Sequence, residues 1–307
     1  MKFVVTGATG FLAAEFIKLV LQEGHEVYAV CRNVEKAQSL FPGAQGLTYV
    51  CAVMDEYACL DQQIAQADVF VSLAWDTLTP DQRDSQDLQQ GNIDNTLAAM
   101  KAARRMGCGL FVEAGSQAEY GGVDGLITED TPCHPTIEYG RAKLRLKSLC
   151  TDLAGEIGIK YLHTRIFSVF GLRDHPYTLI NTCLQNFMQS VPVDLSPCTQ
   201  TWNFLYVKDA VKQMYLLCNF ALHRADYQAE VYNLASDDTR VLKSYLEEMK
   251  AVMASGSVLN FGAVTPQRII SLNPSIEKLK QAIGFVSDYT FAKAISEMVQ
   301  NYEVWQR

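Results

Sequence analysis

The chain has 307 residues, 49% of them hydrophobic and 20% charged, and its 26 Lys and Arg against 34 Asp and Glu give a net charge of −8. This globular composition excludes disorder and low-complexity repeats, and the acidic balance argues against a nucleic-acid partner, because phosphate binding needs clustered cations. Nine scattered cysteines without a CxxC pair argue against a metal site or a disulfide framework. No leader pattern and no apolar stretch of ~20 residues is present, so we expect a cytoplasmic protein without membrane contact.

A glycine-rich turn opens the chain. Residues 3–5 predict a short buried strand, residues 11–20 carry apolar side chains at helical spacing, and residues 26–30 predict a second strand. The turn TGATG over residues 6–10 therefore lies inside a βαβ unit, where glycine lets the backbone approach a diphosphate and the helix N-terminus offers free N–H groups. We predict a bound dinucleotide. Its contacts in the turn are Gly7, Thr9, Gly10, Phe11 and Leu12.

The Gly-x-x-Gly-x-x-Ala spacing of residues 7–13 resembles the extended branch of the short-chain dehydrogenase/reductase superfamily. Residues 69–75 (VFVSLAW) resemble the fourth strand of that branch with its cofactor-lining end, and residues 92–96 (NIDNT) resemble the opening of its next helix. The cofactor contacts that the resemblance implies beyond the turn are Val53, Met54, Leu73, Ala74, Trp75, Asn92, Phe167 and Val169.

The resemblance also implies an α/β fold, a Rossmann-like doubly wound parallel sheet with a smaller C-terminal substrate-binding lobe. We expect a dinucleotide-binding domain over residues 1–171, to which residues 202–237 return. Residues 172–201 and 238–307 would form the lobe. In this family the helix after Asn92 and the one that carries Tyr139 often pair with their copies, which implies a homodimer, although the stripe on the first helix is too polar to establish it.

The residue at the end of the second predicted strand determines whether a dehydrogenase prefers NAD or NADP. NAD-preferring dehydrogenases place an acid there for the ribose 2′-hydroxyl, whereas this chain has Cys31-Arg32-Asn33. The Arg32 guanidinium can bind a 2′-phosphate with two donors, and Lys36 stands one helical turn later. We therefore predict NADP(H) with Arg32 as a contact. The alternative is NAD(H), with Arg32 a solvated surface residue.

Tyr139 and Lys143 are four residues apart on a predicted helix, so they share one face. A neighbouring ammonium stabilises the phenolate and lowers its pKa from the usual ~10, which lets tyrosine act as acid or base for an alcohol–ketone pair. Ser116 ends the predicted strand 111–116 and would hydrogen-bond the same oxygen. The three residues match the catalytic triad of the resembled family, in which Lys143 would also hold the nicotinamide ribose.

Two later segments resemble motifs that border the nucleotide-sugar site of the extended branch, residues 164–173 (TRIFSVFGLR) and 201–209 (TWNFLYVKD). Trp202 stands where an Arg often touches the substrate diphosphate, and it could equally pack in the core. The residues that the resemblance places at the substrate are Gln117, Ser168, Arg173, Trp202 and Arg268. Nucleotide-sugar 4,6-dehydratases carry Thr-Asp-Glu where this chain has Ser116-Gln117-Ala118, which argues against dehydration.

Together these features predict an NAD(P)-dependent oxidoreductase. Within the extended branch the chain resembles the nucleotide-sugar 4-ketoreductases, and this resemblance implies that it reduces the C4 ketone of a nucleotide-diphospho-4-keto-6-deoxysugar with NADPH, for deoxysugar or surface-polysaccharide biosynthesis. The first alternative is an NAD-dependent nucleotide-sugar 4-epimerase of the UDP-hexose type, since the same triad serves both reactions. An alternative of another class is a dinucleotide-sensing protein without turnover, which the intact Ser116, Tyr139 and Lys143 disfavour.

Overall fold

The computed structural model describes residues 1–76, 81–266 and 270–306. The strands are β1 Lys2–Thr6, β2 Glu26–Cys31, β3 Leu47–Cys51, β4 Val69–Ser72, β5 Leu110–Ser116, β6 Lys160–Ile166, β7 Ser168–Phe170, β8 Val193–Leu195, β9 Thr201–Tyr206, β10 Ala229–Leu234, β11 Thr239–Val241 and β12 Leu259–Phe261. The α-helices are α1 Phe11–Gln22, α2 Val34–Leu40, α3 Gln86–Arg105, α4 Glu138–Ile157, α5 Leu179–Met188, α6 Val207–His223, α7 Leu242–Val252, α8 Glu277–Ile283 and α9 Phe291–Gln306. Short 3-10 helices cover Met54–Gln62, Asp81–Asp84 and Gln117–Glu119.

Seven parallel strands form the central sheet in the order β10-β6-β5-β4-β1-β2-β3. The middle strands are buried on both faces, which is why β1 and β4 consist of nearly continuous apolar runs. The chain reverses its direction of winding between β1 and β4, and such a switch point leaves a crevice at the carboxyl ends of the strands. The predicted α/β fold with a doubly wound parallel sheet is confirmed.

Helices cover both faces of this sheet. On one face α1 and α6 pack together, with Phe16 and Met214 fully buried in the same cluster. On the other face α3 and α4 contribute Met100 and Leu146 to a second cluster. These layers leave the carboxyl ends of β1, β4 and β5 uncovered by helix, which is where the predicted site residues lie.

Two smaller sheets, β11-β9-β7 and β12-β8, join α5, α7 and α9 around a third cluster. Aromatic side chains dominate it: the rings of Phe204 and Phe291 stack at 5.9 Å, and Tyr245 meets Phe291 edge-on at 4.8 Å. Within residues 202–237, β9 belongs to a small sheet and β10 pairs with β6 in the central one. The predicted domain boundaries stay a prediction.

The prediction that a helix opens at Asn92 is wrong, because α3 begins six residues earlier at Gln86. Residues 86–91 (QDLQQG) contain one apolar side chain, Leu88, and apolar residues recur at helical spacing only from Ile93, so the pattern does not predict the first turns. Asp87 in the first turn interacts favourably with the helix dipole. In the part of the chain that the structure covers, no helix is long and apolar enough to cross a membrane.

Candidate active site

A cleft of about 1740 Å³ lies at the carboxyl ends of β1, β2 and β4. Ten of the predicted cofactor contacts line it: Gly7, Thr9, Gly10, Phe11, Arg32, Val53, Met54, Leu73, Ala74 and Trp75. Lys36 and Tyr57 line it as well. Residues from four separate segments of the sequence are therefore brought to one open groove beside the sheet.

The glycine-rich turn is shaped as a backbone cradle. Gly7 has a φ of 67°, and a Cβ on it would lie 3.1 Å from the Ala74 backbone. The Gly10 N–H donates to the Gly7 carbonyl at 2.7 Å, and α1 starts directly after Gly10 without a side-chain cap. The first N–H groups of α1 therefore stay available to an anion, with the positive end of the helix dipole behind them. The residues fit a dinucleotide diphosphate.

Two polar side chains fix the backbone of residues 73–76, which follows β4 and forms the wall of the cleft opposite the glycine-rich turn. The Thr6 hydroxyl accepts hydrogen bonds from the backbone N–H groups of Leu73 and Ala74 at 3.1 and 3.2 Å. The buried Asn92 amide accepts from the Asp76 N–H at 2.7 Å and donates to the Asp76 carbonyl at 3.2 Å. Asn92 was predicted as a cofactor contact, and the structure instead uses its amide to clamp the backbone that follows β4.

Arg32 extends from the end of β2 at the rim of the cleft. Its guanidinium lies 3.6 Å from the carboxylate of Asp76, and the two side chains are 63% and 56% exposed. The end of β2 itself carries no acidic residue. The structure brings a carboxylate to the same place from the end of β4, beside the cation that was expected to select NADP.

Lys143 is buried behind the cleft. Its ammonium donates to Glu113 Oε1 at 2.8 Å and to the Ala114 carbonyl at 2.6 Å, and it lies 3.4 Å from the centroid of the Trp75 ring. The Tyr139 ring meets the same indole edge-on, with 6.1 Å between centroids. Trp75 lines the cleft and contacts both predicted catalytic side chains. The resembled family has a small residue at this position, so the resemblance does not predict these contacts.

Ser116 ends β5 and is half-buried. Its hydroxyl accepts a hydrogen bond from the Ala118 N–H at 3.2 Å, which caps the short helix Gln117–Glu119. The sequence predicts a contact between this hydroxyl and the Tyr139 oxygen. The structure shows a contact with the Ala118 N–H instead. Ala118 in turn packs on α4, since a Cβ at Gly140 would lie 2.5 Å from the Ala118 carbonyl oxygen.

The predicted substrate residues do not all share one surface. Arg173, with a φ of 74°, donates to the Thr9 carbonyl at 3.4 Å and lines the cleft beside the glycine-rich turn. Ser168 begins β7 and Gln117 begins a 3-10 helix, both half-buried. Arg268 lies outside the described residues.

Four aromatic and aliphatic side chains predicted at the cofactor or the substrate pack in the apolar clusters. Phe167, expected to contact the cofactor, lies between β6 and β7 and is buried in the core, with 6.1 Å between its ring centroid and that of Tyr120. Val169 and Leu12 pack between the first and third apolar clusters, so Leu12 offers the cofactor its backbone N–H in α1. Trp202 packs 6.2 Å from Phe204, and its buried indole N–H has no hydrogen-bond partner among the described residues.

A chain of buried charges continues from Lys143 across β5 and β6. Glu113 Oε2 lies 2.7 Å from His163 Nδ1, and His163 Nε2 lies 2.9 Å from Glu119 Oε1. Arg165 then donates to Glu119 Oε2 at 2.9 Å. Against the lowering effect of burial, the carboxylates of Glu119 and Glu113 raise the pKa of His163 to about 9. Against the raising effect of burial, His163 and Arg165 lower the pKa of Glu119 to about 2.

None of the motifs that predict the site includes these buried charges, although the sequence carries a signal for them. Central parallel strands are normally apolar, so Glu113 in β5 and His163 and Arg165 in β6 stand out as charges that must be paired. In the ranges 1–76, 81–266 and 270–306, no group of three or more His, Cys, Asp or Glu side chains is arranged to hold a metal ion.

The sequence model of the NAD dependent epimerase/dehydratase family matches residues 3–235. The chain belongs to this family. It is therefore an enzyme of the extended short-chain dehydrogenase/reductase type, and the resemblance read from the glycine spacing and the Tyr139–Lys143 pair is confirmed. A nicotinamide dinucleotide is its cofactor class, and nucleotide-sugar epimerases and dehydratases are its relatives.

Two curated relatives and one solved structure illustrate the similarity. The chain is 23% identical to the dTDP-6-deoxy-L-talose 4-dehydrogenase (NAD(+)) of Aggregatibacter actinomycetemcomitans, over 82% of this chain and 90% of that protein. It is 24% identical to the UDP-glucose 4-epimerase of Corynebacterium glutamicum, over 97% and 94%. The fold matches the UDP-glucose 4-epimerase of Thermotoga maritima, solved with UDP-glucose, with a TM-score of 0.86 over all of both chains at 16% identity.

Proposed function

We propose that this enzyme reduces the C4 ketone of a nucleotide-diphospho-4-keto-6-deoxysugar. The observation that carries the proposal is the assembly of Tyr139 and Lys143 around Trp75, whose side chain lines the cleft beside the glycine-rich turn. A phenol beside a buried ammonium is suited to proton exchange with an alcohol–ketone pair. The relative named as a dTDP-6-deoxy-L-talose 4-dehydrogenase supports C4 chemistry, since a 4-dehydrogenase is a 4-ketoreductase run in reverse.

A nicotinamide dinucleotide held in the cleft would supply a hydride to the carbonyl carbon. Tyr139 donates its phenolic proton to the carbonyl oxygen, so that the ketone becomes an alcohol. Lys143, buried and positively charged, stabilises the phenolate that remains. Trp75 covers the ammonium and keeps water from it, which strengthens the electrostatic effect. Gly7, Gly10 and the first turn of α1 would hold the diphosphate of the cofactor.

The turn after β5 argues against a dehydratase. Loss of water across C5 and C6 needs an acid–base pair, and residues 117 and 118 are Gln and Ala. The next carboxyl group along the chain, Glu119, is fully buried and bound to His163 and Arg165. It is therefore held away from any substrate and ionised, so it cannot donate a proton.

A nucleotide-sugar 4-epimerase is the second candidate. It is favoured by the similarity to the Corynebacterium epimerase, which extends over 97% of this chain. An epimerase returns the hydride to the other face of the same carbon, with the same tyrosine and lysine. The two activities differ in their net result, since only the reductase consumes the reduced cofactor.

For the cofactor, we propose NAD(H) in place of the NADP(H) that Arg32 predicted. Asp76 sets a negative charge 3.6 Å from Arg32, where it both neutralises the cation and repels a 2′-phosphate. Asp76→Asn is expected to improve NADPH binding about 5-fold relative to NADH, since like charges about 4 Å apart in water cost about 1 kcal/mol. Arg32→Ala should weaken NADPH and leave NADH nearly unchanged. Equal effects of each variant on both cofactors would contradict this assignment.

The activity is tested by supplying NADH or NADPH with a panel of 4-keto-6-deoxy nucleotide sugars and following cofactor absorbance. We expect oxidation with at least one of them, at least ~100-fold slower in Tyr139→Phe, while that variant keeps its cofactor affinity. Interconversion of UDP-hexoses without cofactor consumption would replace the reductase by the epimerase. The absence of both activities, with the dinucleotide bound, would favour a sensor without turnover.

The resemblance-based homodimer and the cytoplasmic location remain proposals. Light scattering of the purified protein tests the homodimer, and a molar mass equal to one protomer of 34.2 kDa would contradict it.

A further inference from the structure

The chain of buried charges behind the cleft reaches two members of the predicted triad. Glu113 holds the ammonium of Lys143 through Oε1 at 2.8 Å. At the other end, Glu119 Oε1 accepts a hydrogen bond from the backbone N–H of Ser116 at 2.8 Å. His163 lies between the two carboxylates and contacts both, at 2.7 and 2.9 Å. The buried charges therefore contact both the Lys143 ammonium on α4 and the backbone of Ser116 at the end of β5.

We propose that Glu113 is a positioning residue for Lys143, locked in its ionised form by His163, and that it sets the charge which Tyr139 experiences. The proposal rests on the reductase function given above. Glu113 does not line the cleft, so it acts only through Lys143.

The geometry explains why the carboxylate is fixed. A buried ion needs partners on every side, and leaving one uncompensated is strongly unfavourable. Glu113 has Lys143 on one oxygen and His163 beside the other, and His163 Nδ1 is also 3.0 Å from the hydroxyl of Tyr161. Glu119 completes the enclosure of the imidazole, since it binds Nε2 with both oxygens. Two cationic partners therefore flank Glu113 and favour its charged form, while its Oε2 makes no hydrogen bond among the described residues.

Gly115 shows that the chain makes room for this arrangement. A Cβ on Gly115 would lie 2.3 Å from His163 Nε2 and 2.6 Å from Glu119 Oε1. Gly115 does not have a positive φ, so its backbone conformation does not require glycine. A glycine is needed here because the buried charges leave no space for a side chain.

The charges around Tyr139 come from several elements. Lys143 lies one turn along α4, and the Arg83 guanidinium of the 3-10 helix Asp81–Asp84 lies 5.5 Å from the ring centroid. Glu138 precedes Tyr139 on α4 and pairs with Arg141. Around Lys143 itself lie Glu113 from β5 and, beyond it, His163 from β6 and Cys150 of α4.

Among these, Glu113 is the anion in direct contact with the ammonium. When it is neutralised, the positive field at Tyr139 rises. The phenol should then lose its proton at a lower pH.

The test is Glu113→Gln, which keeps the shape and removes the charge. A reductase needs a protonated Tyr139, so turnover falls at alkaline pH as the phenol ionises. We expect this alkaline limb of the kcat profile to move down by about one pH unit, with kcat reduced about 10-fold and KM for the cofactor nearly constant. Glu230→Gln, which removes a partner of Arg224 and Lys278 on the sheet edge, is the matched control and should change neither.

Glu113→Asp keeps the charge and withdraws it by one methylene. This variant should lower kcat without moving the alkaline limb of the kcat profile. It replaces Glu113→Gln as the test if Glu113→Gln does not fold. An unshifted limb in Glu113→Gln, or wild-type kcat in Glu113→Asp, overturns the proposal.

Tyrosinate absorbance separates a failure of this proposal from a failure of the reductase function. The difference titration between each protein and its Tyr139→Phe partner reports the phenol directly and needs no substrate. If the wild-type chain reduces no sugar, the reductase function fails. A lower titration midpoint in Glu113→Gln still supports the role of Glu113, and an equal midpoint refutes it.

Discussion

Replacement of Gly115 by Ala tests whether the buried charges are as tightly packed as the structure shows. The new methyl group would lie 2.3 Å from His163 Nε2 and 2.6 Å from Glu119 Oε1, well inside van der Waals contact. Neither neighbour has free space, because both side chains are fully buried and each holds ionic partners on its other side. The methyl group must therefore push the imidazole and the carboxylate apart.

The expected cost follows from two contributions. Overpacking a well-filled core costs about 1–3 kcal/mol, and breaking a buried ion pair costs about 3–5 kcal/mol. Since the pair is displaced rather than deleted, we expect a loss of about 3 kcal/mol. For a chain of 307 residues the entropy of unfolding is about 0.6 kcal/mol per degree, so Tm should fall by about 5 °C. Urea unfolding monitored by circular dichroism measures the same loss as a lower midpoint.

Gly155→Ala is the matched control. Gly155 lies inside α4, and a Cβ there meets nothing within 4 Å. The same substitution should stabilise the protein by about 0.5–1 kcal/mol through helix propensity. If Gly115→Ala were as stable as the wild type, the contact between His163 and Glu119 would not be rigid, and the reasoning on Glu113 would lose its basis.

Three further predictions concern pH, the cradle and the cleft wall. The pKa of His163 is raised from 6.5 to about 9, so its contribution to stability is complete below pH 6.5 and is lost as the pH rises through 9. The loss is about 3 kcal/mol by linkage and is measured as the urea midpoint at pH 6.5 and 9.5; a flat profile would contradict the ion chain. Gly7→Ala should weaken dinucleotide binding at least ~10-fold by calorimetry, whereas Gly24→Ala, with a similar φ of 78° and nothing within 4 Å, should strain the backbone and leave affinity unchanged. Asn92→Ala releases the Asp76 backbone and should weaken NADH binding about 10-fold, and wild-type affinity would show that the clamp is not needed.

The sequence predicts the parts of this site that depend on backbone shape and helical spacing. In the turn between β1 and α1, Gly7 has a φ of 67° that few other residues adopt, and a Cβ on Gly10 would lie 3.0 Å from the Gly7 carbonyl oxygen. Glycines at these two positions therefore predict the turn from the sequence. The spacing of Tyr139 and Lys143 fixes their common face on α4 regardless of what packs around them.

Contacts between distant segments could not be predicted in the same way. Asp76 reaches Arg32 only because β4 and β2 flank β1 in the sheet, an order that the chain sequence does not state. Similarly, Glu113 and His163 are fifty residues apart in sequence and meet through the register of β5 and β6. Their charges indicate that each needs a partner, but the identity of that partner depends on strand pairing.

The edge strand β10 has a consequence for how the chain acquires its structure. β6 pairs with β5 on one side and with β10 on the other, yet residues 167–228 must be made before β10 exists. Until then β6 is an open edge that carries His163 and Arg165, and a nascent chain exposes both the unpaired backbone and the charges. Such late, long-range pairing slows folding. We therefore expect this sheet edge to be the last part of the central sheet to form, and the step at which crowded chains aggregate.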